Sequence, residues 1–96
     1  MKQITEAYHP ETKELYTVGD KVVIYQGRFG HDNIIEIKSM WQNENDPTDH
    51  ICVSSELTLP GTFLSAVKRK ITDKEIKKIR NLQYKCEEAL KYNINL

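Results

Sequence analysis

The residues with chemistry beyond simple charge are three histidines and two cysteines: His9, His31, His50, Cys52 and Cys86. Zinc sites draw four ligands from closely spaced pairs, and the chain has no C-x2-C or H-x3-H spacing. His50 and Cys52, joined by Asp46 or Asp49, amount to a fragment of such a set. Glu44, Asp46 and Asp49 lack the turn glycine and closing glutamate of a calcium loop. Covalent catalysis needs a nucleophile, a base and an orienting group in contact. Cys52 and His50 share one face of a strand candidate, but side chains two positions apart stand about 6.5–7 Å from each other, too far for direct proton transfer. Gly27-Arg28-Phe29-Gly30 is short and has no Lys-Ser/Thr after it, so it cradles no phosphate. The expectation is a non-enzymatic protein with no catalytic residue, metal or cofactor.

The elements that would position these residues are mostly strands. Leu15 to Val18 leads through the turn pair Gly19-Asp20 into Lys21–Tyr25, a β-rich run that places Val22 and Ile24 on one side and Val23 and Tyr25 on the other. Ile34–Trp41 is the longest strand candidate, with Ile35, Ile37, Ser39 and Trp41 on one face. Ile51-Cys52-Val53 restarts a strand after a polar loop. Thr62–Ile71 reads as a strand by alternation or as a helix by the four-residue spacing of Phe63, Val67 and Ile71, and the β-rich context favours strand up to Val67. The last element is a helix over Asp73–Tyr92. Thr72 and Glu75 have capping-box spacing, and Ile76, Ile79, Cys86 and Leu90 form the apolar stripe.

A chain of 96 residues has room for one domain, 1–96, with an extended lead-in over 1–14, a β part over 15–67 and the helix over 72–92. The fold class expected is mainly β with a C-terminal helix: a small barrel or curled antiparallel sheet packed against that helix. No apolar stretch nears the roughly 18 residues of a membrane helix, and Met1–Pro10 has no signal-like apolar core. Two buried free thiols suit a reducing compartment, so a cytoplasmic protein is expected.

The run Gly19-Asp20-Lys21-Val22-Val23-Ile24-Tyr25-Gln26-Gly27, a loop, and then Ile34-Ile35-Glu36-Ile37 resembles the opening of SH3-like small barrels, especially the KOW type. Ile51-Cys52-Val53-Ser54-Ser55-Glu56-Leu57 is similar to their usual ending. The resemblance spans residues 15–59. It implies an SH3-like barrel and binding of RNA, the transcription machinery or a peptide, with aromatic residues near the loops in contact.

Charge is unevenly spread. The chain has 14 Lys and Arg against 14 Asp and Glu, yet residues 1–67 carry 5 and 10 of them, and residues 68–96 carry 9 and 4. The halves therefore sum to −5 and +5. Lys68, Arg69, Lys70, Lys74, Lys77, Lys78 and Arg80 form a basic block that would suit nucleic acid or an acidic protein surface, or would dock on the acidic half of the same or another copy. Tyr25, Arg28, Phe29, His31 and Trp41 form the candidate surface for a protein partner, with Arg28 and Phe29 at a loop tip. The function expected is a small interaction or regulatory accessory protein, monomeric or homodimeric, with nucleic-acid binding through residues 68–80 as the alternative. Its small size and Lys-, Ile- and Asn-rich composition suit a phage or prophage accessory protein.

Overall fold

The structure, a computed structural model, describes residues 2–25, 32–43, 50–56, 61–83 and 92–95. The strands are β1 (Lys2–Ile4), β2 (Glu6–Tyr8), β3 (Leu15–Thr17), β4 (Lys21–Tyr25), β5 (Asp32–Glu36), β6 (Ser39–Gln42), β7 (Ile51–Ser54), β8 (Thr62–Phe63), β9 (Val67–Lys70) and β10 (Tyr92–Asn95). A 3-10 turn spans Leu64–Ala66, and helix α1 spans Asp73–Leu82. One sheet has the order β1-β6-β7-β8 and is antiparallel throughout. The other has the order β10-β5-β4-β9, with β10 parallel to β5 and the remaining pairs antiparallel. β2 and β3 form a separate hairpin.

Among the described residues the fold is mainly β with one α-helix, and the expected SH3-like barrel or curled sheet does not form. Both four-stranded sheets are open, and no ladder closes either of them. The reason lies at Ile37-Lys38, where the long strand expected over Ile34–Trp41 breaks. Ile37 leaves the ladder to exchange backbone bonds with the turn before β4: its N–H donates to the Asp20 carbonyl at 2.9 Å and its carbonyl accepts from the Gly19 N–H at 2.7 Å. Gly19 can serve there because its φ of 101° lies in the left-handed region that a side chain disfavours. Lys38 donates to the Ser54 carbonyl at 2.8 Å, so the chain continues in the other sheet. The edge of β5 away from β4 is taken by β10.

Two cores result. Val22, Ile24 and Ile35 of one sheet meet Met40 and Val53 of the other, with Tyr16, Ile37, Leu64 and Val67 completing this cluster. On the far side of the β4–β5 pair, Val23 and Ile34 pack with Ile71 and Ile76, and Ile79, Tyr92 and Ile94 flank them. β4 therefore alternates between two apolar environments, which explains its unbroken Val-Val-Ile run.

Helix α1 starts where the capping box places it. Thr72 Oγ1 accepts from the Glu75 N–H at 3.2 Å, and a Glu75 carboxylate oxygen accepts from the Thr72 N–H at 3.4 Å. It is shorter than the helix expected over 72–92, and Tyr92 begins a strand instead. Tyr92-Asn93-Ile94-Asn95 alternates with period two, and β5 offers it an edge. Cys86 and Leu90 lie outside the described residues. Residues 62–71 resolve into β8, the 3-10 turn and β9. The segment expected as an extended lead-in forms β1 and β2, paired with β6 and β3. No helix among the described residues is long and apolar enough to cross a membrane.

Candidate functional site

The two sheets part at one end of their shared core and leave a groove of about 460 Å³. Its floor is Ile24 and Ile35 from one sheet and Val53 from the other, and Tyr25, Asn33 and Glu56 stand along it. Ile24 and Asn33 are register partners, so one sheet's inward face supplies an apolar and an amide group side by side. Tyr25 is 55% exposed although it ends a buried strand. Lys68 Nζ lies 5.1 Å from the centre of its ring and 3.0 Å from an Asp32 carboxylate oxygen. Tyr25 and Asp32 are opposite each other in the β4–β5 ladder, so the groove reaches this end of the strand pair.

Glu56 is held from both sides. Its N–H donates to Ser54 Oγ at 3.0 Å, and its carbonyl accepts from the Ser39 hydroxyl. Ser39 and Ser54 are both buried, and the Trp41 indole N–H donates to the same Ser39 oxygen at 3.3 Å. The Glu56 carboxylate is exposed and has no partner among the described residues. Gly61 closes the groove opposite, so near to β7 that a methyl group there would collide with the Val53 carbonyl oxygen.

Of the expected partner-binding residues, Tyr25 lines this groove. Arg28, Phe29 and His31 lie outside the described residues. Trp41 is half-buried on β6 and reaches the site through Ser39 rather than by facing it. Asn33, Glu56 and the floor residues were not among the candidates. Their apolar alternation looks the same whether a strand end is covered or open.

The basic block is divided. Lys68 pairs with Asp32, Arg69 with Glu75 at 2.9 Å, and Lys70 with Asp20 at 3.6 Å and Glu14 at 4.0 Å. Lys21 and Asp73 form a further pair. The opposed charges of the two halves thus meet partly within one molecule along β9. Lys74, Lys77, Lys78 and Arg80 are exposed on α1 and make no ion pair among the described residues.

Among the described residues no group of three histidines, cysteines or acids could hold a metal ion, and His31 and Cys86 lie outside those residues. His9 is buried, with 2% of its surface exposed. Its Nε2 donates to the Val67 carbonyl at 3.0 Å, while Nδ1 accepts from the N–H groups of Glu11 and Thr12 at 3.1 and 3.2 Å. His50 is exposed and stacks on Phe63, with ring centres 5.0 Å apart. Phe63, Tyr8 and Pro10 share a smaller cleft of about 130 Å³ with it. Cys52 is free and buried, and burial pushes its thiol pKa up, which suits packing rather than nucleophilic attack. Glu44, Asp46 and Asp49 lie outside the described residues.

The chain matches no protein-family model, no curated protein and no solved structure. The expected SH3-like barrel is corrected by the open sheets, and no match supports a phage or prophage origin or nucleic-acid binding.

Proposed function

We propose that this protein is a small non-enzymatic binding module that takes an extended segment of a protein partner into the groove between its two sheets. The observation that carries this reading is the groove itself. It joins an apolar floor of Ile24, Ile35 and Val53 to a polar rim that includes the exposed Tyr25, Asn33 and Glu56, an arrangement suited to recognition. Tyr25 contributes large contact area at low entropic cost, as interface anchors do. Residues 26–31, with Arg28 and Phe29, connect the two strands whose ends border the groove. The ion pairs of Lys68, Arg69 and Lys70 weigh against a phosphate backbone as the partner, because carboxylates already sit beside those cations. The cytoplasm is the compartment we propose, where a free thiol such as Cys52 stays reduced.

The test is selection of binders from a random decapeptide library, followed by amide-shift mapping. Selected peptides are expected to move the resonances of Ile24, Ile35, Val53 and Tyr25, and Tyr25→Ser is expected to weaken them about tenfold or more without changing the melting temperature. Binders that map only to the outer face of α1, or affinity confined to nucleic acid, would overturn the reading.

A further inference from the structure

We infer that Glu56 makes the groove selective for a segment bearing a lysine or arginine beside an aliphatic side chain. This rests on the groove being the binding site and adds the partner's chemistry. Among the described lining residues Glu56 alone carries a charge. Three other acids near the groove or along β9 are already neutralised: Asp32 by Lys68, and Asp20 and Glu14 by Lys70. Glu56 is not, and its carboxylate is left to solvent at the edge of an apolar floor.

The polar groups around it point the same way. Ser54 and Ser39 are buried, and each uses its hydroxyl oxygen to fix the Glu56 backbone, one through the N–H and one through the carbonyl. The Trp41 indole N–H completes the set on Ser39. Buried hydroxyls must find partners, and here both find them on one residue whose side chain has none among the described residues. The backbone of Glu56 is preorganised while its carboxylate remains free for an incoming cation. An aliphatic side chain in the space between Ile24, Ile35 and Val53 would bring the neighbouring backbone of a bound segment to the rim where Glu56 stands.

Three matched decapeptides test this: alternating Leu and Ser throughout, with two central positions both Lys, both Gln or both Glu. Each is titrated into the protein at low and moderate salt and followed by amide shifts. The lysine peptide is expected to bind about threefold to tenfold more tightly than the glutamate peptide, the range for one exposed ion pair exchanged for a repulsion. The difference is expected to shrink as salt rises. Glu56→Lys should reverse the order of the two peptides, and since only the backbone of this residue is bonded, the variant should melt like the parent. Equal binding of all three peptides at the groove would overturn the charge preference and leave the groove standing. Binding of none of them would remove both. A charge preference that survives Glu56→Lys would overturn the assignment to Glu56.

Discussion

His9 Nε2 donates to the backbone carbonyl of Val67 across 58 positions of sequence. A carbonyl can only accept, and Nδ1 already accepts from two backbone N–H groups, so the imidazole is the Nε2–H tautomer with both nitrogens satisfied. Its ring lies tilted against Tyr16, with centres 5.9 Å apart. This one side chain ties the turn after β2 to the start of β9. Replacing it with alanine should cost at least about 1–3 kcal/mol, since the Val67 carbonyl is left buried and unpaired. His9→Gln, which keeps a donor near Nε2, should recover part of the loss. Urea unfolding of the parent and both variants measures this; equal stability of the alanine variant would mean that water replaces the ring.

Within α1 the apolar positions are unequal. Ile76 is buried against Val23 and Ile34, whereas Ile79 is half-buried at the flank of that cluster. Ile76→Ala should cost about 2–5 kcal/mol, and Ile79→Ala distinctly less. Thermal melts of the two variants, compared at the same pH, check the order.

Gly61, just before β8, lies close against the backbone of β7. Gly61→Ala should destabilise the fold by about 1–3 kcal/mol, because a methyl group meets backbone, which cannot rotate aside. The same change at Gly19 meets open space but a strained φ of 101°. If Gly61→Ala melts like the parent, β8 has room to shift outward.

The Arg69 guanidinium hydrogen-bonded to Glu75 holds its carboxyl below the ordinary value of 4.5, with the Thr72 N–H and hydroxyl adding to the effect. A carboxyl lowered in the folded state stabilises above its unfolded value and loses that contribution as pH falls through the folded value. In Arg69→Gln the Glu75 carboxyl should titrate at higher pH than in the parent. The side-chain carbon shifts of Glu75 followed from pH 7 to 2 read this directly; coincident curves would contradict the pairing.

Burial raises the Cys52 thiol pKa, so at pH 8 it should remain mostly protonated and react slowly with iodoacetamide. Peptide mapping should show Cys52 modified only after the chain is unfolded in urea. Rapid labelling of the native protein would mean that β7 opens locally.

What the sequence by itself determined is local. The capping box at Thr72 and Glu75 set the start of α1, because both hydrogen bonds span three residues. The β-rich run Lys21–Tyr25 and the turn at Gly19-Asp20 were legible for the same reason: alternation and turn chemistry act over a few neighbours. Tertiary structure decided the rest. Whether Ile34–Trp41 stays one strand depends on bonds that Ile37 and Lys38 make to Gly19, Asp20 and Ser54, and these carry no mark in the intervening sequence. The barrel resemblance failed at that break. Nothing in the polar neighbours of His9 marks its burial, because its partner is 58 positions away. The expected helix reached Tyr92, where the structure has a strand instead because β5 offers Tyr92–Asn95 an edge. Glu56 was one acid among ten in the first half; its distinction is that neighbouring Ser54 and the more distant Ser39 hold its backbone while nothing described holds its carboxylate. Charge totals could show that the halves were opposed, but the side chains that neutralise one another are chosen by strand order, because an ion pair depends on distance in space.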